Sequence, residues 1–521
     1  MEKVLIIGAG PAGLTAAYEL LKKENYEVTI LEMDENVGGI SKTISLDDAY
    51  LVDTGIHRFF SKNDKINEIW NEILPIQSKP AYDDIKLHRE KEFEKIGSDP
   101  EKDEKSMLIR ERYTRIYYKK KFFDYPVTLK FENIRKLGII TIIKAGFSYI
   151  KAQIIKKEET SLENFYINRF GKVLYSIFFE NYTEKVWGVH PSKISADWGA
   201  QRVKGVSIAE VIKDAFKKVF KIKDKNVETS LIDKFLYPKL GAGQMWDEMA
   251  NIIQQKGGKI LTQAEVTGIE VKDKKIVAVE YKYKGKKERI ELDILISSMP
   301  IKNLVMSIKK EKVPKKIYDI AKKLPYRNFI SVCMLVKKIK LKNKTKIKTI
   351  GNIVPDDWIY IQEPDVKLGR MQIFNNWSPY LFKNKEELED RVLIGLEYFC
   401  SDGDEFWNMP SDKFIQFAKE EAVKIGIIGE EDFITAKEIK IDKAYPAYFG
   451  VYKDIHQVIK YLNSIENLYC IGRNGQHRYN NMDHSMLTGL VTAENIINKV
   501  KDKSEIWNVN TEKEYHEIKK F

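Results

Sequence analysis

The chain opens with an apolar run, a helical pattern and a second apolar run. Residues 4–7 are four consecutive apolar residues, which is the pattern of a strand buried on both faces of a sheet. Residues 14–23 show helical periodicity, and residues 28–31 form the second apolar run. This order of strand, helix and strand predicts a βαβ unit at the start of the chain.

The pattern changes after the first eighty residues. Residues 83–112 are highly charged and lack apolar periodicity, so we expect an insertion or an exposed loop there. The alternation from 116 to 125, with a basic tip at 119–121, predicts a hairpin. Residues 129–221 then predict a helical region.

The later part of the chain returns to the pattern of its beginning. Residues 244–261 predict a helix followed by a short strand, and residues 295–300 predict a buried strand and a turn. The pattern over 301–440 is mostly strand-like. A last apolar strand at 468–471 leads into a helix that follows Asp483.

These elements predict an α/β fold in which the nucleotide-binding domain is discontinuous along the chain. An antiparallel-sheet domain and a helical insertion interrupt it, because 521 residues are too many for a single core. The predicted segments are the nucleotide-binding parts 1–82, 236–300 and 441–500, a mainly helical domain with the charged insertion at 83–235, an antiparallel β domain at 301–440 and a charged tail at 501–521.

The first βαβ unit contains glycines at the spacing of a dinucleotide-binding site. Gly8 permits the tight turn, Gly10 lets the backbone approach a pyrophosphate, and Gly13 lets the helix pack closely on the strand. Pyrophosphate oxygens would then lie at the helix N-terminus, where backbone N–H groups have no helical partner. Glu32 ends the second strand, at the distance where such sites place the acid that bonds a ribose hydroxyl. The motif predicts a bound dinucleotide.

Composition and charge exclude several other classes of protein. Lys and Arg number 88 against 76 Asp and Glu, a surplus interleaved with acids that indicates a solvated surface. The three cysteines lie far apart without a CxxC pair, which suits a reducing, cytoplasmic location. The sequence contains no nucleic-acid motif and no metal-ligand spacing of histidines. It also has no apolar run of the length that spans a membrane.

One amphipathic segment leaves two interpretations open. Residues 137–155 form an apolar run interrupted by Lys144 and Lys151. The run can be an amphipathic helix of a substrate domain, or a helix in peripheral contact with a membrane surface.

A pair of adjacent glycines further along the chain extends the predicted dinucleotide site to one for FAD. Five residues after Glu32, Gly38 and Gly39 expose adjacent backbone N–H groups. Here the sequence resembles the FAD family that holds amine oxidases, phytoene desaturases, protoporphyrinogen oxidase and UDP-galactopyranose mutase. The oxidase branch usually continues with arginine, whereas Ile40 and Ser41 are closer to the mutase branch. The resemblance implies a Rossmann-type (GR2-like) FAD domain, with these cofactor-binding residues: Gly8, Gly10, Pro11, Ala12, Gly13, Glu32, Met33, Gly38, Gly39, Ile40, Ser41, His57, Val266, Gly472, Arg473, Met482, Asp483 and Ser485. His57, which the resemblance places against the isoalloxazine ring, can equally be a structural histidine.

The resemblance to UDP-galactopyranose mutase, in its long eukaryotic form, extends to about residue 498. It implies that Arg202 and Arg370, together with His57, are catalytic. It implies a diphosphate-linked substrate held by Tyr125, Arg202, Tyr360, Arg370, Tyr380, Tyr445 and Tyr479. Guanidinium forks and phenol donors suit a diphosphate on chemical grounds as well. Thr128 stands where the family has a base-reading glutamine, so the base stays open.

The resemblance therefore implies a mutase of the type that converts UDP-galactopyranose into UDP-galactofuranose for cell-surface polysaccharides. Reduced flavin N5 would be the nucleophile at the anomeric carbon, with NAD(P)H or another donor as reductant. The alternative is an FAD-dependent oxidoreductase that removes hydride from an amine, a polyene or a porphyrinogen. A homo-oligomer is compatible with either function.

Overall fold

The computed structural model describes residues 1–125, 136–196, 198–199 and 234–510. The chain folds into two compact units. Unit 1 comprises residues 1–109, 236–327 and 441–511, and unit 2 comprises residues 110–235, 328–440 and 512–521. Four of the boundaries between these segments fall inside strands.

The secondary structure elements are numbered over the described residues. The strands are β1 (Glu2–Ile7), β2 (Tyr26–Leu31), β3 (Thr43–Leu46), β4 (Tyr50–Asp53), β5 (Met107–Glu111), β6 (Thr114–Tyr118), β7 (Lys121–Asp124), β8 (Lys234–Pro238), β9 (Lys259–Leu261), β10 (Ala264–Lys272), β11 (Lys275–Tyr283), β12 (Lys286–Glu291), β13 (Ile294–Ser297), β14 (Tyr326–Val336), β15 (Trp358–Ile361), β16 (Arg370–Ile373), β17 (Val392–Cys400), β18 (Phe433–Pro446) and β19 (Leu468–Cys470). The α-helices are α1 (Pro11–Leu20), α2 (Asp64–Ile73), α3 (Tyr82–Lys86), α4 (Ile139–Ile154), α5 (Leu162–Tyr175), α6 (Asn181–Trp187), α7 (Gly243–Gln255), α8 (Ile301–Ser307), α9 (Lys315–Lys322), α10 (Phe374–Trp377), α11 (Glu405–Asn408), α12 (Ser411–Lys424), α13 (Ile455–Asn463), α14 (Gly472–Gly475), α15 (Met482–Ile497) and α16 (Ser504–Asn508).

Unit 1 is built on a five-stranded parallel sheet. Its strand order is β19-β13-β1-β2-β9, and every neighbouring pair is parallel. The apolar run 4–7 lies in the central strand and is fully buried, as its composition predicts. Helix α1 starts three residues earlier than predicted, because Pro11 has the backbone angle of a first helical residue and needs no N–H partner there. The predicted βαβ unit is confirmed.

Two helices of unit 1 approach each other closely beside this sheet. A Cβ on Gly489 of α15 would lie 2.3 Å from the carbonyl oxygen of Ala12 in α1. Only glycine permits this contact between α15 and α1, the helix that follows the glycine turn. Unit 1 also contains the antiparallel sheet β10-β11-β12 and the hairpin of β3 and β4.

Unit 2 contains a seven-stranded sheet in the order β18-β14-β17-β16-β15-β6-β7. The pairs from β14 to β15 are antiparallel, and β15 pairs with β6 in parallel. One face packs against α12 through Phe414, Ala418 and Ala422. The predicted hairpin is confirmed: Tyr118 pairs with Lys121, and the two intervening lysines have positive φ, as a tight two-residue turn requires. The α/β fold class with an antiparallel sheet is confirmed.

The helical part of unit 2 includes α4, α5 and α6. Helix α4 confirms the amphipathic helix expected at 137–155, and it packs against α5. Gly171 has φ +74°, and a Cβ there would lie 2.7 Å from the backbone nitrogen of Tyr149. The described helices agree with the helical region predicted for 129–221.

The expectation of an exposed loop at 83–112 is wrong at both ends of that segment. Asp83 and Asp84 lie in α3 and are buried, because Arg89 and Lys91 pair with their carboxylates. The far end enters β5, where Met107 is fully buried. Charged residues that neutralise one another can enter a core, which a pattern of charges alone does not reveal.

Two further expectations need correction. The segment 501–521 was expected to be a charged tail, but its described part packs: Ile506 and Trp507 of α16 are buried, and the Ile506 carbonyl accepts a hydrogen bond from Gln476. The segment 301–440 also holds helices α8, α9 and α12 besides its strands. Among the described residues, no helix is long and apolar enough to cross a membrane.

Candidate cofactor and substrate sites

The glycine turn after β1 has the backbone that the motif predicts. Gly8 has φ +97°, and its N–H donates to the Leu31 carbonyl at 2.8 Å. A Cβ on Gly13 would lie 2.0 Å from the Gly8 carbonyl oxygen, so helix and turn can approach only with glycine here. Gly10 is the N-cap of α1, and Pro11 and Ala12 form its first turn. The N-terminus of α1 therefore follows directly after the glycine turn and is fixed against it.

The Gly38–Gly39 pair lies against the glycine turn that follows β1. The Gly38 N–H donates to the Ala9 carbonyl at 2.8 Å, and a Cβ on Gly39 would lie 3.2 Å from the Gly10 Cα. Ile40 and Ser41 continue into a single helical turn, where the Ser41 hydroxyl donates to the Gly38 carbonyl at 2.9 Å. The sequence thus brings two loops of glycine backbone together, which is the environment that a pyrophosphate needs.

Glu32 is buried at the end of β2, beside this turn. Its carboxylate accepts hydrogen bonds from the Ala9 N–H at 2.7 Å and from the Asp34 N–H at 2.9 Å. Burial raises the pKa of Glu32, and the two backbone donors oppose that change. Each carboxylate oxygen retains acceptor capacity beyond its one backbone bond, so the carboxylate can still accept the predicted bond from a ribose hydroxyl.

The adenine side of the predicted site lies along the same edge. The Gln263 N–H donates to the Asp34 carbonyl and the Ala264 N–H donates to the Glu32 carbonyl, at 2.9 and 2.8 Å. These bonds align the start of β10 with the end of β2. Val266 follows two residues later and is half-buried, whereas Met33 is exposed.

The C-terminal segment of unit 1 meets the first turn of α1. Gly472 has φ +74°, its N–H donates to the Thr488 hydroxyl at 2.8 Å, and a Cβ there would lie 3.0 Å from the Ala12 Cβ. The Thr488 hydroxyl in turn donates to the Ser485 carbonyl at 2.6 Å. Helix α15 begins at Met482, with Asp483 in its first turn. Gly472 therefore lies beside the first turn of α1, and Thr488 links it to the first turn of α15.

Arg473 organises two of the candidate tyrosines. Its guanidinium carbon lies 4.5 Å from the ring centre of Tyr479 and 5.6 Å from that of Tyr445. The two rings are stacked with centres 5.6 Å apart. Arg473 also donates through Nε to the Asn480 carbonyl at 2.8 Å and through Nη1 to the Ala444 carbonyl at 3.1 Å. The arginine thus fixes both phenols in one group.

His57 lies half-buried in the segment that follows β4. Two residues later, Phe59 exchanges backbone hydrogen bonds with Leu236. At the end of β4, buried Asp53 accepts hydrogen bonds from the Tyr237 hydroxyl at 2.7 Å and from the Thr43 hydroxyl at 2.6 Å. Burial raises the pKa of Asp53 to about 6. The backbone that carries His57 is therefore anchored at both ends.

In unit 2, the candidates Tyr360 and Arg370 form one cross-strand row with Glu397. Tyr360 of β15 lies opposite Arg370 of β16, and Arg370 lies opposite Glu397 of β17. Arg370 Nε pairs with the fully buried Glu397 carboxylate, which also accepts a hydrogen bond from Gln372 at 2.9 Å. Burial raises the pKa of Glu397, and Arg370 opposes that change. The guanidinium is thus paired with a carboxylate, and its central carbon lies 5.1 Å from the ring centre of Phe399.

Aromatic rings extend this row beyond the sheet. The ring centre of Tyr360 lies 4.7 Å from that of Tyr125 and 5.5 Å from that of Tyr182. The Arg112 guanidinium lies 5.6 Å from the Tyr125 ring centre. Tyr125 keeps 40% of its surface exposed, so the group is accessible.

The remaining candidates are separate from this row or lie outside the described residues. Tyr380 is buried on the turn Pro379–Leu381, where its N–H donates to the Ser378 hydroxyl and Lys385 lies over its ring. Arg202 and Thr128 lie outside the described residues, so their predicted roles stay predictions.

Sequence analysis missed two residues that position the row. Glu397 is the one charged residue in the nine-residue apolar run of β17, and this interruption was the available signal. Lys185 is half-buried and donates to the Glu363 carbonyl at 2.6 Å and to the Leu368 carbonyl at 3.2 Å. Burial lowers the pKa of Lys185 to about 8. It holds the connection between β15 and β16, and no local sequence signal reveals this role.

Comparison with known proteins places the chain among flavoproteins. The sequence model of the family described as flavin-containing amine oxidoreductase matches residues 11–433. Among solved structures, reduced UDP-galactopyranose mutase matches with a TM-score of 0.76 and 20% identity, covering 99% of this chain and 100% of that one. A putative protoporphyrinogen oxidase from Exiguobacterium sp. 255-15 matches with a TM-score of 0.66 and 12% identity over 96% and 99% of the two chains.

Other relatives match less extensively or with lower similarity. Putrescine oxidase matches with a TM-score of 0.56 and 15% identity over 95% of this chain and 99% of that one. A flavin-containing monooxygenase of Arabidopsis thaliana, FMO GS-OX-like 9, is 58% identical over 38 residues, which are 7% of this chain and 8% of the relative. The structural likenesses, all at low identity, establish the fold.

Proposed function

The chain belongs to the family of flavin-containing amine oxidoreductases, and from this premise we propose that it is an FAD-dependent sugar-nucleotide mutase. The proposed reaction is of the type that converts UDP-galactopyranose into UDP-galactofuranose. The fold shared with UDP-galactopyranose mutase over the full length of both chains is consistent with this proposal. A shared fold alone does not identify a reaction, so the argument rests on individual side chains.

FAD is the cofactor of this family, and the residues of unit 1 fit it. The glycine backbone at Gly10 and Gly39 leaves room that a Cβ would occupy, and the α1 N-terminus supplies donors for phosphate oxygens. We assign the Glu32 carboxylate, which is held at the glycine turn by the Ala9 N–H, to a ribose hydroxyl. When bound and reduced, the flavin supplies a nucleophilic nitrogen, N5, for the anomeric carbon.

The observation that carries the proposal is the cross-strand row of Tyr360, Arg370 and Glu397. A guanidinium fixed by a buried carboxylate presents its donors in one orientation, and it has a phenol as its neighbour. This arrangement suits oxygens that gain negative charge, such as those of a diphosphate leaving group. An amine substrate has no anionic oxygens for such a group to bind.

Each unit contributes phenols that suit the same substrate class. In unit 2, the exposed Tyr125 ring offers a surface on which a nucleobase can stack, with Tyr360 behind it. In unit 1, Tyr445 and Tyr479 are held by Arg473 and can donate hydrogen bonds to phosphate oxygens. We assign Arg202 to the diphosphate as well, so Arg202→Ala should reduce turnover by orders of magnitude.

An oxidoreductase that removes hydride from an organic substrate is the second candidate. The family model itself and the shared fold of putrescine oxidase favour it. The buried ion pair at Arg370 counts against it, because a cationic amine gains nothing from a fixed guanidinium.

Titration of the holoprotein with UDP, followed by the flavin absorption spectrum, tests the substrate class. We expect saturable binding that weakens at least about tenfold in Arg370→Ala, since a charge-assisted, bidentate contact is lost. Arg391→Ala is the matched control, because Arg391 is more exposed and pairs with Asp390 at the surface. Failure of UDP, ADP and inorganic diphosphate to bind, together with bleaching of the flavin by an amine, would favour the oxidoreductase.

A further inference from the structure

The outer face of α4 carries a row of exposed apolar side chains. Within the described chain, exposed large hydrophobic residues are scattered singly except between positions 140 and 155, where six occur together. They are Ile140 (68% exposed), Ile143 (53%), Phe147 (72%), Ile150 (55%), Ile154 (77%) and Ile155 (61%). Scattered apolar residues are ordinary on a surface, but a contiguous group marks an interaction site. We call this group the α4 apolar face.

The opposite side of α4 attaches the helix to unit 2. Ala145 and Ala152 are buried and face α5, and the Ser148 hydroxyl accepts a hydrogen bond from the Val173 N–H at 3.2 Å. The C-terminal end is fixed to Asn168, whose carbonyl accepts from Gln153 at 3.1 Å. The exposed side chains within α4 fall within an arc of about 80° at 3.6 residues per turn, on the side away from these contacts. The stripe is therefore presented outward by a docked helix.

The charged residues of α4 and of the segment from 136 to 157 are all lysines, and Glu158 and Glu159 follow that segment. Between residues 136 and 157 there are five lysines and no aspartate or glutamate. Lys144 and Lys151 are exposed and border the stripe along one side, while Lys156 and Lys157 follow its end. A second acid-free basic stretch lies at 337–348, but the residues exposed there do not form an apolar row, so α4 is where exposed apolar and basic side chains occur together.

We propose that the α4 apolar face docks this protein peripherally on a membrane surface rich in anionic phospholipid. A helix parallel to the bilayer inserts apolar side chains into the acyl boundary and leaves its lysines among the headgroups. Anionic headgroups attract basic residues close to the surface, and this attraction adds to the apolar term. The stripe of α4 and its bordering lysines have these two properties together.

The same charges argue against a second copy of the chain as the occupant. A symmetric dimer through this face would bring Lys144 and Lys151 of both helices together, and α4 itself carries no acid to pair with them. Like charges placed opposite one another disfavour such an interface. The inference is independent of the proposed reaction, because none of the residues of α4 belongs to the candidate sites.

Flotation of the holoprotein with lipid vesicles tests the proposal. We expect binding to vesicles of phosphatidylcholine with phosphatidylglycerol and little binding to phosphatidylcholine alone. The double variant Phe147→Ser, Ile150→Ser should bind at least about tenfold more weakly, since two bulky apolar side chains are lost from the inserted stripe. Its matched control is Ile85→Ser, Ile96→Ser, which removes two exposed apolar side chains of unit 1 and should leave binding unchanged.

The electrostatic part is tested separately. The double variant Lys144→Gln, Lys151→Gln should bind anionic vesicles more weakly than the wild type does. Added salt should also weaken the binding of the wild-type protein. The control double variant Lys286→Gln, Lys287→Gln, on the exposed strand β12, should bind as the wild type does. Equal binding to both kinds of vesicle would overturn the assignment to anionic lipid. Flavin absorbance and circular dichroism confirm that each variant is folded.

A probe on the helix reports insertion directly. All three native cysteines are buried, so an Ile150→Cys variant can be labelled selectively with an environment-sensitive dye. We expect a blue shift with anionic vesicles and none for the same dye at Ile96→Cys. A shift that instead accompanies concentration-dependent dimerisation without vesicles would overturn the proposal in favour of a second copy.

Discussion

Arg370 and Glu397 face each other on adjacent antiparallel strands, and the Arg370 guanidinium pairs with the fully buried Glu397 carboxylate. Arg370 keeps only 15% of its side chain exposed. A charge in this position needs its partner, because the low-dielectric surroundings cannot solvate it. Glu397 is therefore a positioning residue: it fixes the orientation of the guanidinium that we assign to the substrate diphosphate.

We expect Glu397→Gln to weaken both stability and substrate binding. The free energy of unfolding should fall by about 3 kcal/mol, since Arg370 loses its counter-charge. UDP affinity should fall by about tenfold because the guanidinium is no longer held in one orientation. Chemical denaturation and UDP titration measure the two effects. Glu420→Gln, an exposed carboxylate of α12, is the control, and a Glu397→Gln protein with unchanged UDP affinity would contradict the positioning role.

Tyr479→Phe separates the phenol hydroxyl from the ring. The ring should remain stacked on Tyr445 and beside Arg473, so the melting temperature should not change. UDP affinity should fall about fivefold to tenfold, which corresponds to one hydrogen bond of about 1 kcal/mol. Isothermal titration gives the affinity. Tyr461→Phe, whose hydroxyl donates to the Lys312 carbonyl, should have no effect on UDP, and an equal effect of both variants would refute the assignment.

Alanine substitutions at two glycines of the turn should have different effects on FAD content and on folding. In Gly10→Ala the new Cβ meets the Gly39 Cα at 3.7 Å, an ordinary contact, so the protein should fold but hold less FAD. In Gly13→Ala the Cβ would lie 2.0 Å from the Gly8 carbonyl oxygen, so folding itself should be impaired. The ratio of flavin to protein absorbance and the yield of soluble protein distinguish the two. Full FAD content in Gly10→Ala would contradict the proposed path of the pyrophosphate.

Buried His477 should make stability fall in mild acid. Its ring packs against Tyr326 and bonds to the Ala447 carbonyl, and burial lowers its pKa to about 4. In the unfolded chain this histidine binds a proton below about pH 6.5, whereas in the folded protein it stays neutral down to about pH 4. The free energy of unfolding is therefore unaffected by His477 above about pH 6.5 and falls as the pH is lowered from there to 4. The loss should reach about 3 kcal/mol.

Denaturation of His477→Phe from pH 7 to pH 4 checks this contribution, because the variant should have a flatter stability profile. His456→Phe, a change at an exposed histidine, should keep the wild-type profile. Parallel profiles for wild type and His477→Phe would show that the loss in acid has another origin.

Lys91→Met should destabilise unit 1, because it removes a partner of Asp84, whose side chain is fully buried. The expected loss is about 3 kcal/mol, and the double variant Lys91→Met, Asp84→Leu should recover part of it, since no charge then lacks its partner. Thermal denaturation measures both. Lys95→Met in the same segment is the control, and an equal loss there would refute the role of the pair.

Local signals in the sequence were enough to predict the βαβ unit. The apolar run of β1, the glycines and Glu32 lie within 32 residues, so backbone requirements and periodicity define the unit without tertiary information. The hairpin of β6 and β7 was predictable for the same reason. The structure adds that Gly39 approaches Gly10 closely, a contact that joins two separately recognised motifs.

Pairing between residues, which the pattern along the chain does not report, explains the expectations that failed. The acids Asp83 and Asp84 looked exposed because the charges that neutralise them lie beyond the helix, at Arg89 and Lys91. The strand pair β15 and β6 joins Trp358 to Thr114, and no pattern along the chain specifies that partner. Glu397 was overlooked because its role depends on its register with Arg370.

The most direct measurement is the conversion of UDP-galactopyranose by the purified holoprotein, followed by chromatography with and without dithionite. The proposed function requires a furanose product that forms when the flavin is reduced and does not form when it is oxidised. No product in either state, together with oxygen consumption and flavin turnover on an amine, would contradict the mutase and identify the protein as an oxidoreductase.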